Sequence, residues 1–250
     1  INMISVDTIY QRVLAAANKE QRGYVTPQEF NLFANQAQMD IFDQYFYDVD
    51  KASRVHGNET ETGDMLDLLN EKIDIFEEKA QTVAGGVTLP AVPAFAEIYI
   101  LGNIIHTNPG GNSREVERVS EKEFMTIQNS PLTQPRIERP IYVRSGKDNV
   151  GRDTIMVFGH NPTTGTIAQI TANVTCNYIR RPVRAIWEYV VVNGYAQYNL
   201  GPSIDFELHP SEENNLVFKI LELAGIVMKS QPLYQIASQE EIKDIQQEKQ

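Results

Sequence analysis

The stretch from Tyr24 to Asp48 constrains the fold more strongly than any other part of the sequence. Thr26 is a favourable N-cap, Pro27 follows at the first helical position, and Glu29 can complete a capping box. Apolar side chains then recur at helical spacing, which predicts a long amphipathic helix with one buried face. These side chains belong to Phe30, Phe33, Ala34, Ala37, Ile41 and Tyr45.

The opposite face of this predicted helix carries side-chain amides, which both donate and accept hydrogen bonds. Such a face is either solvated or packed against a second copy of the chain or another protein. The candidate subunit interface consists of Asn31, Asn35, Gln36 and Gln38.

The charge of the 250-residue chain limits the partners that it can bind. The formal net charge at pH 7 is −11, which disfavours general nucleic-acid binding because phosphate neutralisation supplies most of that affinity. Residues 1–80 hold 15 acidic and 7 basic side chains, residues 81–200 hold 9 and 11, and residues 201–250 hold 9 and 4. The middle of the chain therefore differs in charge from both ends.

The hydrophobic pattern changes together with the charge, from helical spacing at both ends to short strand-like runs in the middle. We therefore expect an α+β protein. The N- and C-terminal segments should form a helical bundle, and the inserted β-rich region should be an antiparallel sheet or sandwich. The predicted division is an N-terminal helical region at 1–82, a β-rich insert at 83–208, and C-terminal helices at 209–250 that complete the bundle.

Individual elements follow from caps, turn residues and periodicity. Helices are predicted from Ser5 or Asp7 to about Asn18, from about Asp64 to Lys79 with Leu68 in its buried stripe, and after His209. A short helix should begin at Ser120 with Glu123 in a capping box. Residues 50–64, with His56, should form an exposed loop, and the segment ending at Gln250 should be a polar helix or tail. Strands are predicted near Glu97–Leu101, Asn103–His106, Ile141–Arg144, Thr154–Phe158 and Thr171–Ile179.

The Asn193-Gly194 dipeptide predicts a β-hairpin with a type I′ turn. Its strands should be Ile186–Val192 and Tyr195–Tyr198. The single tryptophan, Trp187, stands at the start of this hairpin and is close in sequence to three arginines. It is either packed in the hairpin or part of an exposed contact patch, because aromatic and arginine side chains are enriched at interfaces. The candidate contact patch is Arg180, Arg181, Arg184 and Trp187.

The sequence contains no constellation typical of an active site or a metal site. The four histidines are about fifty residues apart, and neither a Walker loop nor a Gly-x-Ser-x-Gly elbow is present. The single Cys176 permits no internal disulfide and falls on the apolar side of a predicted strand, which favours a small core residue. We expect no enzymatic activity, no catalytic residues and no cofactor.

Targeting and membrane insertion also lack support in the sequence. The chain has no run of 18 or more apolar residues, and its start lacks a basic segment followed by an apolar one. We therefore expect a chain that neither spans a membrane nor carries a secretory signal.

Several motifs together resemble those of structural proteins from short-tailed bacteriophages, particularly crAss-like and marine ones. The motifs are T-P-Q-E-F, A-N-Q-A-Q-M-D-I-F-D-Q-Y-F, S-P-L-T-Q-P, N-Y-I-R-R-P, W-E-Y and D-F-E-L-H-P-S-E-E-N-N-L-V-F-K-I-L-E-L-A-G-I. Within such phages the chain is similar to the head-to-tail adaptor, or neck ring, beneath the portal. The resemblance implies a homomeric ring, usually a dodecamer, located in the virion and assembled in the host cytoplasm. It implies the portal protein and other neck or tail proteins as partners, with transient passage of DNA and no membrane.

Two alternatives remain open at the level of sequence. The chain could occupy another layer of the virion, as a tail-tube or nozzle component or a minor capsid protein. It could instead carry a glycan- or receptor-binding module, in which Trp187 and four tyrosines would supply a stacking surface. Those tyrosines are Tyr178, Tyr189, Tyr195 and Tyr198.

Overall fold

The structure is a computed structural model that describes residues 3–19, 25–54, 60–90, 98–108, 110–130, 132–149, 152–160 and 166–227. It is an α+β protein, as the sequence predicts. The helices are α1 (Val6–Lys19), α2 (Pro27–Arg54), α3 (Thr60–Asp74), α4 (Glu121–Ile127) and α5 (Glu213–Val227), with a 3-10 turn at Pro210–Glu212. The strands are β1 (Glu77–Thr82), β2 (Ile98–Thr107), β3 (Ser113–Glu115), β4 (Glu117–Arg118), β5 (Ile141–Lys147), β6 (Asp153–His160), β7 (Ile167–Gln169), β8 (Val174–Arg180), β9 (Tyr189–Val192) and β10 (Tyr195–Tyr198).

The chain forms two compact units, of which the first combines Ile1–Ile75 with Pro182–Gln250 and the second is Phe76–Arg181. These boundaries differ from the predicted ones at 82 and 208. Residues 182–208 belong to the first unit because they hydrogen-bond to α2 and to the chain's N-terminal segment. The predicted loop at residues 50–64 is partly wrong, because residues 50–54 continue α2 and residues 60–64 begin α3. The rest of that loop, residues 55–59 with His56, lies outside the described residues, as does the predicted polar tail within residues 228–250.

Helix α2 begins as predicted, with Thr26 and Glu29 in a reciprocal capping box. The Thr26 N–H donates to Glu29 Oε2 at 3.0 Å, and the Glu29 N–H donates to Thr26 Oγ1 at 3.3 Å. The Thr26 N–H and, to a lesser extent, the Thr26 hydroxyl donate to the Glu29 carboxylate, and these two hydrogen bonds hold the pKa of that carboxyl below its ordinary value. The predicted stripe is buried except for Phe33, which is half-buried, and Phe42 joins it. The helix continues to Arg54, six residues beyond the predicted stretch.

Helices from both ends of the chain pack together in the first unit. Helix α5 packs against α1 and α2, and α3 packs against α2. Lys72 on α3 pairs with the buried Glu212 in the turn before α5, with 2.6 Å between Nζ and Oε1. Asn215 Nδ2 donates to the second carboxylate oxygen of Glu212 at 3.1 Å. This buried ion pair therefore joins α3 to the turn that precedes α5.

The prediction that the third helix reaches Lys79 is wrong. Helix α3 ends at Asp74, and Glu77–Thr82 forms strand β1, which pairs antiparallel with β8. Phe76 begins the second unit and is fully buried, whereas Leu68, predicted to face the core, is 61% exposed. The pairing with β8, about a hundred residues away, overrides the local helical pattern.

Two four-stranded sheets build the second unit. Their strand orders are β1-β8-β2-β3 and β4-β5-β6-β7, and every pairing is antiparallel except that of β4 with β5. Buried side chains of both sheets meet in one core, which contains Val83, Leu89, Ile104, Val116, Tyr142, Ile155, Val157, Val174, Cys176 and Tyr178. The capping box of Ser120 and Glu123 at the start of α4 is confirmed. The placement of Cys176 as a core residue is also confirmed.

The Cys176 thiol should resist modification in the folded protein. Burial raises its pKa to about 11, so both the thiolate fraction and the access of a reagent are low. We expect no reaction with Ellman's reagent at pH 8 in buffer and one thiol per chain in denaturant. Reaction of the native protein at the rate of a free thiol would contradict this burial.

Removing the charge of Lys72 should strongly destabilise the first unit. The Lys72→Met substitution leaves the Glu212 carboxylate buried without its cation, and we expect a loss of about 3 kcal/mol in the free energy of unfolding. The fluorescence of Trp187, the single tryptophan, reports on this unit during urea unfolding. The Arg12→Met control breaks a more exposed pair with Glu213 and should cost less than about 1 kcal/mol. Equal losses in both variants would contradict the difference in burial.

Candidate functional site

Three of the predicted interface amides on α2 bind the backbone of their own chain. Asn31 Nδ2 donates to the Trp187 carbonyl at 3.1 Å, and the Trp187 N–H donates to Asn31 Oδ1 at 2.8 Å. Asn35 Nδ2 donates to the Ala185 carbonyl at 2.9 Å, and Gln38 Nε2 donates to the Val183 carbonyl at 2.8 Å. Together these contacts form an amide ladder along residues 183–187.

The amide ladder depends on a match between helical and extended spacing. Residues 31, 35 and 38 lie on one helix face and span about 10 Å at 1.5 Å per residue. Alternate residues from 183 to 187 span about 13 Å in an extended chain. The extra methylene of Gln38, compared with asparagine, covers the remaining distance. The helix side chains therefore take the place of a neighbouring strand.

Gln38 also connects the ladder to a third segment. Its Oε1 accepts a hydrogen bond from the Glu207 N–H at 3.3 Å, while Glu207 Oε2 accepts one from the Val183 N–H at 2.8 Å. Gln38 is 1% exposed as a result. We expected Asn31, Asn35 and Gln38 at a subunit interface, but their side chains form hydrogen bonds within their own chain. Gln36 is exposed and donates to Asp40 Oδ1 at 2.8 Å.

The residues of the candidate contact patch are divided between the two units. Arg180 and Arg181 belong to the second unit, whereas Arg184 and Trp187 belong to the first. Arg180 is buried with its Nε 3.5 Å from Glu78, and Arg181 lies over the ring of Tyr99. Arg184 is exposed. A sequence cluster of cations near an aromatic residue is therefore distributed between two units.

Trp187 is an internal anchor and is 2% exposed. Its ring centroid lies 4.2 Å from that of Tyr10, and its Nε1–H donates to Asp7 Oδ1 at 3.0 Å. Tyr189 and Tyr198 stack against it with centroid distances of 5.9 and 5.8 Å. The alternative that Trp187 packs within the hairpin is confirmed, and the exposed contact is excluded. Trp187 fixes the base of the β9–β10 hairpin to α1 and α2.

The aromatic stacking surface proposed for a glycan is also not formed by the predicted residues. Tyr178 lies in the core of the second unit, and Tyr189 and Tyr198 are half-buried against Trp187. Of the five aromatic residues in that prediction, Tyr195 alone is well exposed. A single exposed ring does not make a stacking platform.

The hairpin of β9 and β10, residues 189–198, exposes several apolar side chains, and we name it the hairpin arm. Asn193 and Gly194 have φ angles of 52° and 82°, which confirms the predicted type I′ turn. Val190, Val191 and Tyr195 are 50%, 64% and 76% exposed. No charged residue occurs between Tyr189 and Ile204. Contiguous exposed apolar side chains of this kind mark interaction surfaces.

A sequence signal for this surface exists in the three consecutive valines of β9. A strand with one buried face normally alternates apolar and polar residues, and Val190, Val191 and Val192 break that alternation. The run indicates that both faces of the strand carry apolar side chains. In the described part of the chain, β9 and β10 pair only with each other.

The described residues contain no group of three histidine, cysteine or carboxylate side chains able to hold a metal ion. A cavity of about 420 Å³ in the second unit is lined by three arginines and three glutamates, among them the pair Arg139 and Glu117 at 3.0 Å. These charges balance, and the pair is solvent-exposed. His106 is buried, and burial lowers its pKa.

No described helix is both long and apolar enough to cross a membrane.

A scan against protein-family models gives no match, and a search of curated proteins finds no match.

The buried and exposed amides of α2 should respond differently to the same substitution. Gln38→Glu removes the donor to the Val183 carbonyl and brings a carboxylate to the Glu207 side of the ladder. We expect a loss of about 2–4 kcal/mol in the free energy of unfolding. The matched Gln36→Glu control, at an exposed position next to Asp40, should cost about 0.5 kcal/mol or less. Trp187 fluorescence during urea unfolding measures both, and an unaffected Gln38→Glu variant would contradict the ladder.

Proposed function

We propose that this chain is a virion structural protein of a short-tailed bacteriophage, a ring-forming head-to-tail adaptor that joins the portal to the tail. The main support for this proposal is the hairpin arm. It is an uncharged apolar surface that is anchored to the helical unit through Trp187. Such a surface favours association with another protein. The motifs that resemble neck-ring proteins supply the class of assembly.

A ring requires an interface between two different surfaces of the same subunit, repeated around an axis. A rigid arm is suited to this because its orientation relative to its own helices is fixed before assembly. The hydrogen bonds of Trp187 to Asn31 and Asp7 provide that rigidity. Less conformational entropy is then lost when subunits associate.

The acidic character of the chain supports a role in DNA passage without DNA binding. The net charge of −11 repels phosphates, so a duplex would pass a ring of such subunits without being held. The partners in this proposal are further copies of the chain, the portal protein and other neck or tail proteins. The resemblance in sequence implies a ring of about twelve copies.

A second candidate is a tail-tube, nozzle or minor capsid protein, which would use the same arm in another layer of the virion. The glycan- or receptor-binding module has less support because Trp187 and Tyr178 are buried. No group of described residues favours an enzyme.

Co-expression with the portal protein of the same phage genome tests the proposal. We expect the two proteins to co-purify and to form ring-shaped particles in cryo-electron microscopy, with a mass that native mass spectrometry resolves into whole subunits. Antibody labelling of virions should mark the neck. Labelling of the tail or head would favour the second candidate instead. A chain that stays monomeric with the portal present would contradict the adaptor.

A further inference from the structure

We infer that the hairpin arm of one subunit adds to the free edge of strand β7 in the next subunit. This inference rests on the proposed ring and names the two surfaces that would meet in it. The occupant of each surface is therefore a second copy of this chain. The charge along the strand edges distinguishes β7 from the other edges.

Among the described residues of the second unit, one sheet ends in β1 and β3 and the other in β4 and β7, which gives four edge strands. Exposed edges attract unwanted strands, and proteins commonly protect them with charged side chains. Strands β1, β3 and β4 each carry both acidic and basic residues. Strand β7, with the sequence Ile-Ala-Gln, carries none. It lies within residues 161–179, which contain no charged residue.

The hairpin arm, like β7, lacks charged side chains. Its two strands contain no acidic or basic residue. In the described chain, β7 pairs with β6 alone, and the strands of the arm pair only with each other. Each therefore has one edge whose backbone groups can accept another strand. A charged edge would oppose the apolar arm by requiring desolvation of its ions, so β7 is the complementary edge.

The lengths of the two surfaces also correspond. Each strand of the arm has four residues, and β7 has three. Pairing the arm with β7 would extend the four-stranded sheet of β4 to β7 by two further strands. The isolated hairpin would then gain the sheet partners that two strands alone lack.

This contact joins two different surfaces and is heterologous. A heterologous contact between identical subunits closes into a ring or continues as a filament. The opposite case, in which two arms pair with each other, is isologous and stops at a dimer. The two cases give different products in a cross-linking experiment.

Single-cysteine additions test the contact directly. Gln169 on β7, Val191 on β9 and Gln197 on β10 are exposed, and neighbouring strands bring cysteines within disulfide distance. Gln169→Cys protein is mixed with Val191→Cys or Gln197→Cys protein under assembly conditions, portal included, and oxidised with copper phenanthroline. The native Cys176 is buried and does not interfere. We expect disulfide-linked heterodimers in at least one mixture, which also identifies the docking strand of the arm.

The outcomes separate this inference from the proposed function. Rings without heterodimers overturn the arm contact and leave the adaptor intact. Homodimers of the Val191→Cys or Gln197→Cys variant alone show pairing between arms and overturn the contact with β7. Absence of any assembly contradicts the adaptor and the arm contact together.

A charge placed on the arm gives an independent measurement. The Val191→Lys/Val192→Lys variant changes exposed side chains, so its folding, followed by Trp187 fluorescence, should be unchanged. We expect the concentration for half-maximal assembly to rise at least about tenfold, because docking would desolvate the ammonium groups. Leu68→Lys, at a 61% exposed position on α3, is the matched control and should assemble normally. Normal assembly of the double variant overturns the inference.

Discussion

The amide ladder between α2 and residues 183–187 is the interaction on which the first unit depends. Asn31, Asn35 and Gln38 satisfy backbone groups that a neighbouring strand would otherwise pair. The ladder holds Trp187 against α1, and Trp187 in turn fixes the base of the hairpin arm. A contact in the interior of the first unit therefore fixes the base of a hairpin that exposes apolar side chains.

Helix α2 therefore acts as an internal scaffold of the first unit. Its apolar stripe packs within the first unit, and three of its amides face the same chain. The surfaces that we propose for assembly are strand edges. Strand edges recognise one another through backbone hydrogen bonds, which require register and an absence of buried charge. The arm and β7 meet the second requirement, because neither carries a charged side chain.

The sequence predicts features whose causes are local. The capping boxes at Thr26 and Ser120 and the turn at Asn193-Gly194 require residues at most three positions apart, and all are confirmed. Prediction from sequence fails where a residue's structure depends on a partner that is distant along the chain. Residues 77–79 are predicted as the end of a helix, but pairing with β8 makes them the start of strand β1. Asn31 could bind water or protein equally well by sequence, and its partner Trp187 lies 156 residues away. The exposure of the arm has a local signal, the three valines, whereas its anchoring does not.

Hydrogen–deuterium exchange of the assembled and monomeric protein tests the central claim most directly. The outward amides of β7 and of one strand of the arm exchange freely in a monomer and form hydrogen bonds when the strands pair between subunits. We expect slower exchange on assembly in peptides covering residues 166–170 and 189–198, with little change in the backbone N–H groups of α2, which are already hydrogen-bonded within the helix. Unchanged exchange at the arm and β7 in a fully assembled ring would contradict it.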